Sequence, residues 1–216
     1  GKVAEDIHGK PMLLRQLERL KNCNKNINIV CVTSIDQADD IIEQICCTNG
    51  FDCFRGSLDN VLDRYINAAK RYKVDYIIRI GGDDPLVDGN QVNVLINKHK
   101  KIVADFLFTS HRNGWPYGCA AELISVKALK EIAKKTSEPL YLEHIIPWFH
   151  KNSDRYKYYP VNSPMNLRRP KYYFSVDYPE DLELIKTIFE RLSELGDFFN
   201  LSDVISEEYR KKLEWA

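Results

Sequence analysis

A chain of 216 residues, 44% hydrophobic and 29% charged, is long enough to bury one sizeable core, and a single domain is expected. Lys plus Arg and Asp plus Glu each total 31, so no global field draws the protein to nucleic acid or anionic lipid, and any anion binding has to be local. No run approaches the roughly 18 apolar residues that a membrane-spanning helix needs, which argues against a membrane protein.

Six cysteines, Cys23, Cys31, Cys46, Cys47, Cys53 and Cys119, show no CxxC spacing, and several lie in apolar runs where a small hydrophobe would serve. They read as reduced thiols, and a cytoplasmic location is expected. The sequence opens on Gly1-Lys2-Val3 with no initiator methionine, so further residues are expected upstream.

In chain order, Pro11 suits a first helical turn, and Met12, Leu13, Leu17 and Leu20 recur at helical spacing behind it. A short β-branched strand over 27–34 ends in hydroxyls, and a helical pattern follows to Cys47. A strand at 51–57 leads to a helix with Val61, Leu62, Tyr65, Ile66 and Ala69 on one face. Residues 75–80, almost continuously apolar, predict a strand buried on both faces near the sheet centre. Two glycines and a proline break it at 81–89, and a helix resumes from Gln91.

A strand at 104–110, another at AELISV (121–126), helices at 126–135 and 140–151, and strands at 155–161 and 171–176 follow. The stretch 112–170, rich in Trp and Tyr, reads as an insertion over the sheet. A helix begins at Pro179 and a last helical segment starts near Leu201. Strands alternating with helices predict an α/β fold: a mostly parallel sheet with helices on both faces.

Ligands of open α/β sheets bind beyond the carboxyl ends of the strands, which directs attention to four places: Thr33-Ser34, Arg55-Gly56-Ser57, Gly81-Gly82-Asp83-Asp84 and Asp177. Asp83 beside two glycines suits a hard cation bridging phosphates, or else belongs to an acidic turn capping the next helix. Asp177 could complete the same site or serve as the N-cap of the helix at Pro179. Arg55 with Gly56 and Ser57 offers a guanidinium and free N–H groups near a helix start, or a simple turn. Lys2 and Lys10 could neutralise a triphosphate or be ordinary surface lysines. His144 beside Glu143 is either catalytic or structural. No GxxxxGK[ST], GxGxxG or GxSxG pattern is present, which moves P-loop kinases, ordinary dehydrogenases and hydrolases down the list.

Taken together, GKVAEDIHGKPMLLRQLERLK, IVCVTS, FRGSLDNVLDRY, IRIGGDDPLVD and SVDYPEDLELI resemble, from Gly1 to about Ile185, the cytidylyltransferase family that includes acylneuraminate and KDO cytidylyltransferases, its spore-coat polysaccharide branch above all. The resemblance implies a Rossmann-like fold of the nucleotide-diphospho-sugar transferase type and transfer of CMP from CTP to a sugar or sugar acid, with release of pyrophosphate, in surface-glycan synthesis. It implies Mg²⁺ on Asp83 and Asp177, Lys2 on the phosphates, and Thr33, Ser34, Arg55, Ser57 and Gly82 along the nucleotide pocket. Glu122, with Glu143 and His144, would face the acceptor, and the assembly would be a homodimer. It further implies a strand and an Arg/Ser-rich loop just upstream of Gly1. Use of GTP or another triphosphate, and a non-catalytic sugar-nucleotide or protein-binding module, are the alternatives.

Overall fold

The computed structural model describes residues 1–21, 27–196 and 199–206. Cys23 and the tail beyond Ser206 lie outside them.

Short β1 (Asp6–Ile7) and β2 (Lys10–Pro11) form an antiparallel hairpin, closed by His8 at φ 53° and Gly9 at φ 84°. Positive φ at both turn residues matches the twist of a two-residue hairpin, which is why a glycine stands there. The chain then enters α1 (Met12–Lys21), whose Met12, Leu13, Leu17 and Leu20 are buried as its spacing predicts. β3 (Val30–Ser34), α2 (Asp40–Thr48) and β4 (Asp52–Gly56) form a βαβ crossover, with β3 and β4 parallel from Val30 opposite Asp52 to Ser34 opposite Gly56.

α3 (Val61–Tyr72) starts where the Asn60 side chain accepts a bond from Asp63 N, and it stops at Lys73, held at φ 54°. β5 (Tyr76–Arg79) leads through the glycine loop into α4 (Gly89–Ile102), opened by a reciprocal Asp88–Gln91 capping box. β6 (Phe106–Phe108), β7 (Glu122–Ser125), α5 (Val126–Lys135), α6 (Pro139–Glu143), α7 (Ile145–Lys151), β8 (Tyr158–Pro160), α8 (Pro179–Arg191) and α9 (Leu201–Val204) complete the order.

The main sheet runs β5-β7-β6-β8. β7 is antiparallel to both its neighbours and β8 is parallel to β6. The α/β class is as the alternation predicted, but the sheet is mixed, because the pattern of apolar residues carries no strand direction. The stretch 112–170 does not lie over the sheet as an insertion, since β7 and β8 are strands within it. One core gathers Trp115, Phe174, Ile185 and Phe189; a second gathers Phe106, Leu129 and Phe149.

Other differences have local causes. The expected helix over 140–151 divides at His144, because Pro147 has no N–H to give and its ring excludes the carbonyl of residue 143 from a continuous helix. Residues 171–176 form no strand of a ladder. Tyr173 makes an isolated bridge to Tyr117, and Val176 N donates to Asp83 O at 2.9 Å, so this segment ties loops together. β5 sits at an edge of the four-stranded sheet, not at its centre. Across from it, β3 has β4 as its one ladder partner among the described residues.

Between β3 and β5 runs a cleft of about 560 Å³, lined by Leu17, Ile29, Cys31, Ile78, Ile80 and Val92 among others. The apolar side chains Ile77, Ile78 and Ile80 are consequently only half-buried. Among the described residues no helix is long and apolar enough to cross a membrane.

Candidate functional site

Three side chains from distant parts of the sequence meet at the carboxyl end of β5. Lys2, in a short 3-10 turn over Lys2–Ala4, directs its Nζ at Asp83 Oδ2 (3.2 Å), Asp177 Oδ1 (3.4 Å) and Val176 O (2.7 Å). All three side chains remain about two-fifths exposed, so the cluster is open to a ligand. Partial burial works to lower the Lys2 pKa, but Asp83 first and Asp177 second outweigh it, and the net shift is upward. The two carboxylates thus already share one cation, the Lys2 ammonium.

Backbone geometry fixes the two carboxylates relative to each other. Val176 N donates to Asp83 O, binding the glycine loop to the segment that carries Asp177. Asp177 is not simply a helix cap. Its Oδ2 accepts a short bond from the Tyr173 hydroxyl, while Asp181 Oδ2 takes the N–H groups of Asp177 (3.0 Å) and Tyr178 (2.8 Å) at the head of α8. The Tyr173 bond, and then the Lys2 ammonium, hold the Asp177 carboxyl below the usual range. Tyr173 itself stacks on Tyr117 with ring centroids 4.5 Å apart.

The glycine loop needs its glycine. A Cβ on Gly81 would lie 2.5 Å from Asp83 Oδ1 and 3.0 Å from Asp84 Oδ2, so both carboxylates fold back into space only a glycine leaves free. From α1, the buried amide of Gln16 donates to Gly81 O (2.6 Å) and Asp84 O (2.9 Å) and pins the loop at both ends. Asp84 points inward, and burial, reinforced by neighbouring Asp83, pushes its pKa up to about 7. A Cβ on Gly82, by contrast, would meet only Val3, at an ordinary 3.6 Å.

The other expected site residues behave differently. Thr33 and Ser34 are buried, and both hydroxyls donate to Asp39 Oδ2 at 2.6 Å. Arg55 is engaged within the chain: Ser34 O (2.9 Å), Asp36 O (2.8 Å), Asp40 (2.7 Å) and Glu43 (2.9 Å) take its guanidinium. The Ser57 hydroxyl accepts from Asn60 N at 3.1 Å. The Thr33 and Ser34 hydroxyls and the Arg55 guanidinium therefore hold the loop that starts α2, and the Ser57 hydroxyl holds the one that starts α3. Lys10 pairs with Glu18 at 2.9 Å.

Glu122 is buried in β7 and paired with Arg79 of β5 at 3.0 Å, with burial raising its pKa in spite of that partner. It is committed to the sheet and does not present a carboxylate to an acceptor. Glu143 and His144 stand together, 3.8 Å apart and mostly exposed, at the break between α6 and α7. Nothing in their contacts brings them to Lys2. Sequence reasoning missed Gln16 and Tyr173. The signal for Gln16 was present, a polar residue inside the apolar stripe of α1, whereas Tyr173 is recognisable only once its segment is placed beside Asp177.

The sequence profile of the cytidylyltransferase family matches residues 1–207. The spore coat polysaccharide biosynthesis protein SpsF of Bacillus subtilis is 32% identical over 171 residues, 79% of this chain and 70% of that protein. The 3-deoxy-manno-octulosonate cytidylyltransferase of Photorhabdus laumondii is 28% identical over 155 residues, covering 68% of this chain and 58% of the relative. A cytidylyltransferase structure from Leptospira borgpetersenii superposes with a TM-score of 0.90 at 28% identity, over 98% of this chain and 88% of that one. A CMP:2-keto-3-deoxy-manno-octonic acid synthetase solved with CTP superposes with a TM-score of 0.65 at 16% identity, over 88% and 92% of the two chains, which is a likeness of fold.

Proposed function

The chain belongs to the cytidylyltransferase family and is a nucleotidyltransferase enzyme; from that premise we propose that it transfers CMP from CTP to a sugar or sugar acid in polysaccharide biosynthesis. An oxygen of the acceptor would attack the α-phosphorus, the bond to the β-phosphate oxygen would break, and pyrophosphate would leave. The observation that carries this reading is the meeting of Asp83, Asp177 and Lys2 at the carboxyl end of β5, where α/β sheets take their ligands.

Two carboxylates gathered about one ammonium form a donor set that also suits a hard divalent ion, so Asp83 and Asp177 are the residues that would hold Mg²⁺. Bound there, Mg²⁺ would neutralise charge on the triphosphate and on the departing pyrophosphate. Lys2 would then give up its carboxylate contacts and turn its ammonium to the phosphates. The loop pinned by Gln16 keeps Asp83 placed before substrate arrives, which is the positioning that transfer at phosphorus demands of a protein. No side chain here is asked to form a covalent intermediate.

This reading includes a cytoplasmic enzyme that works as a homodimer. It also includes a strand supplied upstream of Gly1, for which there is room in the cleft between β3 and β5, where neither strand has a ladder partner among the described residues.

The deciding experiment is pyrophosphate release from CTP, GTP, ATP and UTP, each with Mg²⁺ and a panel of sugars and sugar acids. Turnover restricted to CTP, reduced more than about a hundredfold by Asp83→Ala, is the expected result. Turnover with another triphosphate in preference to CTP would overturn the nucleotide assignment, and turnover indifferent to Asp83→Ala would overturn the site.

A further inference from the structure

Remote from Asp83 in sequence, three thiols converge inside the βαβ unit. Cys31 of β3 and Cys53 of β4 stand opposite each other in parallel register, so their side chains leave the two strands on one face. The crossover helix α2 lays fully buried Cys46 over that face, among Leu13, Leu14, Leu17 and Ile45. The three Sγ atoms all lie within 4.8 Å of one another. Cys47, the next residue, points to solvent and takes no part.

Bond lengths say whether a metal fits. With metal–sulfur bonds of about 2.3 Å, three sulfurs round a trigonal centre lie about 4.0 Å apart, and round a tetrahedral centre about 3.8 Å apart. Closing the trio onto an ion therefore asks for less than about 1 Å of movement per pair, within reach of small side-chain rotations. Thiolate donors select soft and borderline ions over Mg²⁺ or Ca²⁺. Charge selects among those: a divalent ion on three thiolates leaves one net negative charge in apolar surroundings, a monovalent ion leaves two, and the second is the costlier state. Cys31 also lines the cleft between β3 and β5, which gives a water molecule access to a fourth ligand position.

We propose that Cys31, Cys46 and Cys53 form a binding site for a thiophilic d¹⁰ divalent ion of the zinc class, with a fourth ligand position open to the cleft. On binding, each protonated sulfur gives up its proton to solvent and forms a bond to the metal, with no change of oxidation state. The ion ties β3, α2 and β4 together, so it stabilises the folded chain by mass action. The site does not rest on the CMP-transfer reading.

The test uses the full chain, reduced with a phosphine and titrated with Cd²⁺ while thiolate-to-metal charge-transfer absorption is followed. The thermal midpoint is measured in parallel with and without Zn²⁺. The expected result is one equivalent of Cd²⁺ bound, a Zn²⁺-dependent rise in midpoint, and binding weakened more than about tenfold by Cys46→Ala. Cys31→Ala and Cys53→Ala give the same loss and stand in if circular dichroism shows Cys46→Ala unfolded. Cys47→Ala and Cys119→Ala bind as the parent does. Absence of the charge-transfer band overturns the proposal. So does a band undiminished in the three site variants, or one lost in Cys47→Ala or Cys119→Ala.

Discussion

Lys2 and the Arg79–Glu122 pair show how differently a charge behaves at an open and at a closed position. Lys2 shares the oxygens that a divalent ion would take, so ammonium and metal compete for Asp83 and Asp177. Lys2→Ala is therefore expected to tighten Mg²⁺ binding, read by calorimetry without nucleotide, while lowering turnover by about a hundredfold through the lost phosphate contact. Both changes falling in the same direction would remove Lys2 from the proposed role. Glu122, by contrast, is buried with Arg79 as its ion-pair partner. Arg79→Ala should cost about 3–5 kcal/mol, because it strands a buried carboxylate, whereas removing the pair as a unit costs less. The pH dependence follows from direction: burial raises the Glu122 pKa above its ordinary value, so its contribution is greatest in acid and is lost as pH rises through the folded-state pKa. Without Arg79 nothing opposes that rise. The variant's urea midpoint is thus expected to fall further behind the parent's at pH 8 than at pH 5, and an equal deficit at both values would show Glu122 to be hydrated.

At the scale of elements, the site depends on two loops held by close backbone approach. Gly118, at φ 78°, lies so near the 173–176 segment that a Cβ would sit 2.2 Å from Ser175 N and 2.4 Å from Phe174 C. Neither atom is the end of a flexible side chain, so Gly118→Ala must push the segment, and Asp177 with it, away from Asp83. We expect a cost above about 3 kcal/mol in chemical denaturation together with loss of activity. Gly81→Ala meets side-chain oxygens instead. It should retain the fold, within about 1 kcal/mol of the parent, and still lose activity by displacing Asp83. The same contrast explains what the sequence made legible. Helices α1, α3, α4, α5 and α8 were readable because apolar spacing and caps are local. Asp83 stood out because a polar residue soon after an apolar run marks a strand end; Asp177 met the same rule, although the run before it forms no strand of a ladder. Thr33 and Ser34 satisfied that rule as well, yet their partner Asp39 follows within a few residues, whereas Arg55 finds Asp36, Asp40 and Glu43 across the parallel β3–β4 pairing, which no local pattern encodes. Gln16, Tyr173 and the antiparallel course of β7 depend on which segments meet in space, and periodicity along one strand does not encode that.

At the scale of the whole molecule, the sheet is interrupted between β3 and β5. The run 75–80 has the composition of a strand covered on both faces, but β5 has a ladder partner on one side only, β7. A cleft of about 560 Å³ is far larger than the voids that close-packed interiors tolerate. Among the described residues neither flanking strand has a ladder partner on the side of the cleft, over the five residues of β3 and the four of β5. An extended apolar segment of similar length, joined upstream of Gly1, would find hydrogen-bond partners on both sides and bury the exposed faces of Ile78 and Ile80. Such an extension is expected to raise the thermal midpoint by several degrees, roughly the effect of 1–2 kcal/mol on a domain of this size. It should slow hydrogen exchange at the amides of β3 and β5 while leaving those of β8 unchanged. A proline at the centre of the added segment removes one N–H and cannot sit in a central strand, so it should abolish both effects. If the proline-bearing extension stabilises equally, the added residues act somewhere other than the cleft, and the two sheets are independent. If it does not, β3-β4 and β5-β7-β6-β8 are two parts of one sheet, with the Lys2–Asp83–Asp177 cluster placed beside the junction by Gly82, which borders both the cleft and the site.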